Sequence, residues 1–253
     1  MARLEQEGRI FQTGADLEDQ AKHLEERIAE KPDDSDLLQD LAEVYVKGKD
    51  WDQALATMDR AIAAKPGDMS IEFAKGDIEI TRIEEDILEL SRAGKQAEAD
   101  ARQGSLDEAQ TAEFRKRVKA YPTDLKLRFK LAELLAKQGN VDEAIGEFQQ
   151  TVRDPKYKSD SQLHLGRAFA SKGQYDMSIR QLEQAMEGQA GVNERVKEIL
   201  YVLGDVYAKK GDLGAAKAEF AKIYEVDIGF KDVADRLNEL DSSSSEGTLS
   251  RSD

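Results

Sequence analysis

The sequence predicts an all-α chain built as a solenoid of stacked helix pairs. Three observations carry that expectation: one pattern that recurs four times, a glycine turn inside each copy, and a spacing that repeats. Aligned on the turn glycine, residues 131–148 (LAELLAKQGNVDEAIGEF), 165–182 (LGRAFASKGQYDMSIRQL) and 203–220 (LGDVYAKKGDLGAAKAEF) share one arrangement of small, large and turn-forming residues. An upstream copy, residues 41–58 (LAEVYVKGKDWDQALATM), fits the frame with its glycine one residue early. Small residues at two places (Ala42, Ala132, Gly166, Gly204, and Ala54, Ala144, Ser178, Ala216) let two antiparallel helices approach closely. Tyr45, Leu135, Phe169 and Tyr207 fill the space between them, and Gly139, Gly173 and Gly211 stand where a helix must stop and positive φ is needed.

This pattern resembles the tetratricopeptide repeat (TPR), a helix–turn–helix unit of about 34 residues. Ala132 and Gly166 are 34 residues apart, Gly166 and Gly204 are 38, and Pro66 falls 12 after Ala54, where the family often ends its second helix. The resemblance covers most of residues 16–228 and implies a right-handed superhelix, the α-α solenoid of that family. Leu38, Arg128, Gln162 and Leu200 stand where the family carries a tryptophan.

In chain order, residues 1–15 form a lead-in segment. Asp16 is the expected N-cap of a half repeat over 16–34, with Leu17, Ala21, Leu24 and Ile28 on one stripe. Nine acids against three bases between positions 16 and 36 suit the polar exterior of an end repeat. Repeats follow at 35–68, 69–124, 125–158, 159–192 and 193–228, then a capping helix at 231–240 and a Ser-rich tail, 241–253, expected to be disordered for want of apolar residues. The unit 69–124 is the anomaly, because Pro66 to Pro122 is 56 residues, 22 beyond the family period. Ile80, Ile83, Ile87 and Leu90 continue its first helix to about Arg92; Ala93-Gly94 turns it, and Ala97, Ala101, Leu106 and Ala109 mark the return. The spacing predicts an elongated helical hairpin, with Gly104-Ser105 as a candidate kink.

Composition narrows the function. Thirty-seven bases against 52 acids leave a net charge of −15, an acidic protein for which neither nucleic acid nor an anionic membrane is the expected partner. With no cysteine there is no disulfide framework or thiolate site. No apolar run reaches membrane-spanning length and the start lacks a secretory apolar segment, so the expectation is a soluble, cytoplasmic chain without membrane insertion. No phosphate loop, dinucleotide fingerprint, nucleophile elbow or calcium loop occurs, and His23 and His164 lack metal-ligand spacing. Glu84, Glu85, Asp86 and Glu89 ring a helix and do not converge. No enzyme activity, metal or cofactor is expected.

What remains is surface. By the resemblance, partners lie in the groove lined by first helices, which implies Gln39, Glu43, Lys47, Phe73, Asp77, Phe129, Glu133, Lys137, Arg167, Tyr201, Asp205 and Lys209 as partner-binding residues. Phe73, Phe129 and Tyr201 are its apolar anchors, while the asparagine-plus-lysine set of the family's chaperone-tail clamps is absent. A second feature is basic: Arg115, Lys116, Arg117, Lys119, Lys126, Arg128 and Lys130 face Asp124 alone, a local net of +6. Cations at the end of a helix complement its dipole; the sharper reading is a patch for an acidic partner, a phosphorylated peptide or nucleic acid. The leading expectation is a protein–protein interaction scaffold binding a protein or peptide in the groove. The alternatives are a self-assembling homo-oligomer and a regulatory subunit acting through the basic patch.

Overall fold

The computed structural model describes residues 14–249, with side chains through residue 242. Among the described residues there are twelve α-helices and no strand, and the chain divides into two compact units, before and after the boundary between Ala120 and Tyr121.

The first unit holds α1 (Gly14–Glu30), α2 (Ser35–Lys47), α3 (Trp51–Ala64), α4 (Met69–Arg92) and α5 (Gln96–Ala120). Aspartates set the helix starts: Asp34 Oδ1 accepts the Asp36 and Leu37 amides, each at 3.2 Å, and Asp68 Oδ1 accepts the Ser70 amide at 3.0 Å. Such caps contribute about 1 kcal/mol each. At the first helix the expectation needs correcting, since α1 already begins at Gly14 and Asp16 lies inside its first turn. An acid there still favours the helix through the dipole. Leu38, Leu41 and Ala42 of α2 close on Met58 and Ala61 of α3, with Ile28 and Ile71 sealing the cluster from the neighbouring helices.

The glycine that sits one residue early has a visible effect. Gly48 is right-handed, and the left-handed position falls on Lys49, φ 59°. The elongated unit is a hairpin of 24 and 25 residues, against 13 and 14 in α2 and α3, turned at Gly94 with φ 73°. Helix α5 runs without interruption through Gly104 and Ser105.

The second unit holds α6 (Leu125–Lys137), α7 (Val141–Thr151), α8 (Pro155–Ser171), α9 (Tyr175–Met186), α10 (Glu194–Lys210), α11 (Leu213–Tyr224) and α12 (Val233–Leu249). Its turns use Gly139, Gly173 and Gly211 at positive φ, as the pattern requires. Helix α8 starts four residues before the repeat boundary expected at 159, because Asp154 caps it and Pro155 occupies its first position. Close packing explains two further glycines. A Cβ on Gly166 would lie 2.5 Å from Leu182 Cγ, and one on Gly204 would lie 2.6 Å from Phe220 Cζ. The small residue is thus a notch that a large apolar side chain sixteen residues later fills. The last helix departs from expectation: it continues past Leu240 to Leu249, so residues 241–249 of the expected tail are helical and 250–253 lie outside the described residues. Val233, fully buried, and Leu240 anchor its first turns on α11. Extending an anchored helix is far cheaper than starting one.

Successive repeats are also bridged by ion pairs in one register. Asp52 of α3 meets Arg82 of α4 at 2.9 Å; Asp142 of α7 meets Lys172; Asp176 of α9 meets Lys210 of α10 at 2.6 Å. Each joins the start of a second helix to the next repeat's first helix, and being exposed each contributes about 0–1 kcal/mol.

His164 lies inside the second unit, stacked on Phe148 with ring centroids 4.8 Å apart and planes within 4°. Burial pushes its pKa down to about 4, helped by Arg167 and Arg195 against the opposing Asp160. A folded pKa below the unfolded value means that the neutral ring stabilises the fold. That contribution is complete above pH 6.5 and declines as the pH falls toward 4.

Three outcomes follow from this packing. Gly204→Ala should lower stability by about 1–3 kcal/mol in urea unfolding, because Phe220 cannot yield freely. Lys49→Gly should raise it by about 0.5 kcal/mol, the relief of a left-handed lysine exceeding the entropy of glycine and the loss of the surface pairing of Lys49 with Glu85 and, at 3.8 Å, with Glu89. Between pH 7.5 and 5, a His164→Phe chain should lose about 2 kcal/mol less stability than the parent, as read by urea unfolding at both pH values.

Candidate partner-binding surface

In the first unit the expected groove residues fall on α2 and α4. Gln39 donates from Nε2 to the Ser35 carbonyl at 3.2 Å, and Glu43 pairs with Lys47 one turn on at 3.0 Å. These three are surface residues of one helix. Phe73 and Asp77 are different, because Arg117 of α5 gathers them. Its guanidinium carbon lies 5.2 Å from the Phe73 ring centre, and Nη2 donates to the Phe73 carbonyl at 3.1 Å and to Asp77 Oδ1 at 2.6 Å. Nε donates to Glu113 Oε1 at 3.0 Å. Burial by itself would lower the Arg117 pKa, yet the hydrogen bonds to Glu113 and Asp77 and their charges hold it above its ordinary value. Phe73 is therefore half-buried beneath a cation, which leaves it a poor apolar anchor.

In the second unit the expected residues each meet side chains outside the expected set. Phe129 of α6 stacks on Tyr157 of α8 at 5.1 Å and 25°, and meets Phe148 and His164 edge-on at 5.7 and 6.0 Å. Phe129 and Tyr157 remain half-buried, with the Lys156 Nζ 5.2 Å from the tyrosine ring centre. Glu133 pairs with Lys130 at 3.7 Å, and Lys137 is exposed. Farther along, Arg167 of α8 pairs with Glu198 of α10, which also receives Lys231 at 2.6 Å. Tyr201 donates to Asp232 Oδ1 at 2.6 Å under the Lys231 ammonium, 4.3 Å from its ring centre. Burial and that carboxylate raise its pKa. Asp205 is taken by Arg236 of α12, while Lys209 is exposed. The segment around residues 230–236 thus engages Tyr201 and Asp205, and the half-exposed aromatic pair of this unit is Phe129 with Tyr157.

The basic run is divided by the unit boundary. At the end of α5, Arg117 is bound as described, Lys116 lies 3.6 Å from Glu113, Arg115 and Lys119 are exposed. In α6, Arg128 Nη1 contacts Glu147 at 2.6 Å and its Nε donates to the Pro122 carbonyl at 2.7 Å; Lys130 meets Glu133, and Lys126 is exposed. Lys116, Arg117, Arg128 and Lys130 therefore face carboxylates that a count along the sequence does not include.

Two residues escaped the sequence reading. Tyr157 precedes the expected start of its helix, and only the Asp154-Pro155 start signal would have placed it on α8. Glu113 is 5% exposed and fills the Gly76 notch, where a Cβ would lie 2.5 Å from its carboxyl carbon. Aligning Gly76 with Gly166 and Gly204 would have raised the question, but the elongation puts the partner 37 residues away instead of 16. Among the described residues no set of three His, Cys, Asp or Glu side chains is placed to hold a metal, and no helix is long and apolar enough to cross a membrane.

Comparison with known proteins agrees with the geometry. Three tetratricopeptide-repeat family models match residues 16–71, 104–163 and 163–228. No curated protein sequence matches the chain. Among solved structures it is similar to YrrB, described as a TPR protein with an unusual peptide-binding site, at 17% identity over 83% of this chain and 94% of that one, TM-score 0.55. It is also similar to the MamA protein, at 16% identity over 76% of this chain and 90% of that one, TM-score 0.50. At such identities the likeness concerns the fold, and the family rests on the three matched segments: the chain belongs to the tetratricopeptide-repeat family.

Proposed function

We propose that this chain is a non-enzymatic interaction scaffold that holds a protein or peptide partner on the first helices of its repeats, with its main anchor in the second unit. The observation that carries this reading is the half-exposed Phe129–Tyr157 stack, supported by Phe148 and His164 beneath it. Rigid aromatic surface of this kind orders at little entropic cost, and such residues dominate binding energy at interfaces. Lys156, Lys130 and Glu133 supply polar surroundings for a backbone or charged side chain. A peptide occupant is consistent with the description of YrrB, whose fold is alike. Among the described residues nothing favours self-assembly, and the pairing of Lys116, Arg117, Arg128 and Lys130 weakens the case for an acidic partner.

Affinity capture followed by mass spectrometry, with the intact chain beside a Phe129→Ala, Tyr157→Ala double variant of matching circular dichroism, tests the reading. A partner anchored there should lose about 2 kcal/mol or more of binding, roughly thirtyfold in Kd, when titrated by calorimetry. Capture lists and affinities unchanged by the double variant would remove the groove of the second unit as the site.

A further inference from the structure

Every notch of this fold poses the same question, namely what fills the space left by the small residue of the first helix. Opposite Gly166 it is Leu182 and opposite Gly204 it is Phe220. Ala42 and Ala132 have Met58 and Phe148 at the same sixteen-residue step, both buried. In the elongated hairpin the place is taken by a carboxylate, Glu113. Burying an ion there is costly unless its oxygens are satisfied. One of them is, since Oε1 accepts from Arg117 Nε at 3.0 Å. The other, Oε2, meets a cation only at 3.6 Å, the Nζ of Lys116, whose side chain is 56% exposed.

Glu113 and Gly76 line a cleft of about 290 Å³ between α4 and α5, whose other walls include Ile80, Ala109 and Ala112, with Glu79 beside them. We propose that this cleft is a lysine slot, in which Glu113 Oε2 receives the ammonium group of a lysine on a basic segment of a partner protein. The walls fit the occupant, because alanine and isoleucine surfaces accept a methylene stem while the charged head reaches the carboxylate. Lysine fits better than arginine, because the forked guanidinium needs both carboxylate oxygens and Arg117 already holds one. Over both arms of the hairpin, residues 69–120, twelve acids stand against nine bases, a net of −3, and the cleft itself is lined by Glu79 and Glu113 against Lys116 alone. Lys116 is then the chain's own occupant at the mouth, displaced when the partner enters. The slot lies in the first unit and its test touches neither Phe129 nor Tyr157, so it stands or falls separately from the groove.

The probe is a capped oligolysine peptide, compared with its Nε-acetylated form and with oligoarginine, at one fixed ionic strength. Amide shifts of Gly76, Ala109 and Ala112 should move with oligolysine, move less with oligoarginine, and stay put with the acetylated peptide. Glu113→Gln should weaken oligolysine binding at least about tenfold, as loss of one member of a charge pair does. Ala109→Leu fills the cleft without touching the Glu113–Arg117 pair and should weaken it equally, which keeps the proposal testable if Glu113→Gln fails to fold. Lys116→Ala should strengthen binding. Oligolysine that leaves the Gly76 amide unmoved, or that binds the Ala109→Leu chain as tightly as the parent, would show general attraction to an acidic surface and overturn the slot.

Discussion

The contact on which the rest of this molecule depends is the seating of one large side chain in the gap left by a glycine or alanine on the facing helix. Gly166 against Leu182 and Gly204 against Phe220 bring backbones so close that even a methyl group would collide. Interiors packed to crystal density feel such a change at once, which is why the pairing recurs with so little variation in size. Within the second unit one helix pair then presents a fresh apolar face to the next, as the buried cluster of Leu163, Leu182, Ile199 and Leu203 shows across α8, α9 and α10. Ion pairs across the junctions add direction more than strength, since they are solvent-exposed.

Much of this fold was legible because its determinants are local. Asp34, Asp68 and Asp124 set helix starts through backbone hydrogen bonds two or three residues away, although the one cap expected, Asp16, lies inside the first turn of α1. Gly139, Gly173 and Gly211 announce stops through their backbone conformation. Even the anomalous hairpin could be drawn in outline, because Ile80, Ile83, Ile87 and Leu90 keep their period to the turn. What escaped was the identity of partners brought together over long separations. Arg117 sits in a basic run by sequence, but in space it belongs to Asp77 and Glu113, forty residues and four residues away. The same applies to Arg128, whose carboxylate is Glu147 on the next helix.

The candidate surface shows the difference between register and environment. Register placed Phe73, Phe129 and Tyr201 at equivalent positions, and their surroundings diverge: one lies under Arg117, one stacks on Tyr157, and one is tied to Asp232 and roofed by Lys231. A repeat consensus describes the packing side of each helix, and the opposite side is free to vary. The last helix was misjudged for a related reason. Serines 242–245 are poor at starting a helix, yet they follow a segment already pinned by Val233 and Leu240.

The long hairpin has a mechanical corollary. From Gly76 to the end of α4 is sixteen residues, about 24 Å of rod at 1.5 Å per residue. Beyond Gly76 no residue of α4 is fully buried, so the two arms are held to one another mainly by Ala99 and Leu106 of α5 and by exposed contacts such as Arg102 with Asp86 at 2.6 Å. A rotation of about 5° at the level of Gly76 carries the turn at Gly94 through about 2 Å over that span. Any change of angle at the junction between α4 and α5 is therefore multiplied at the distant tip.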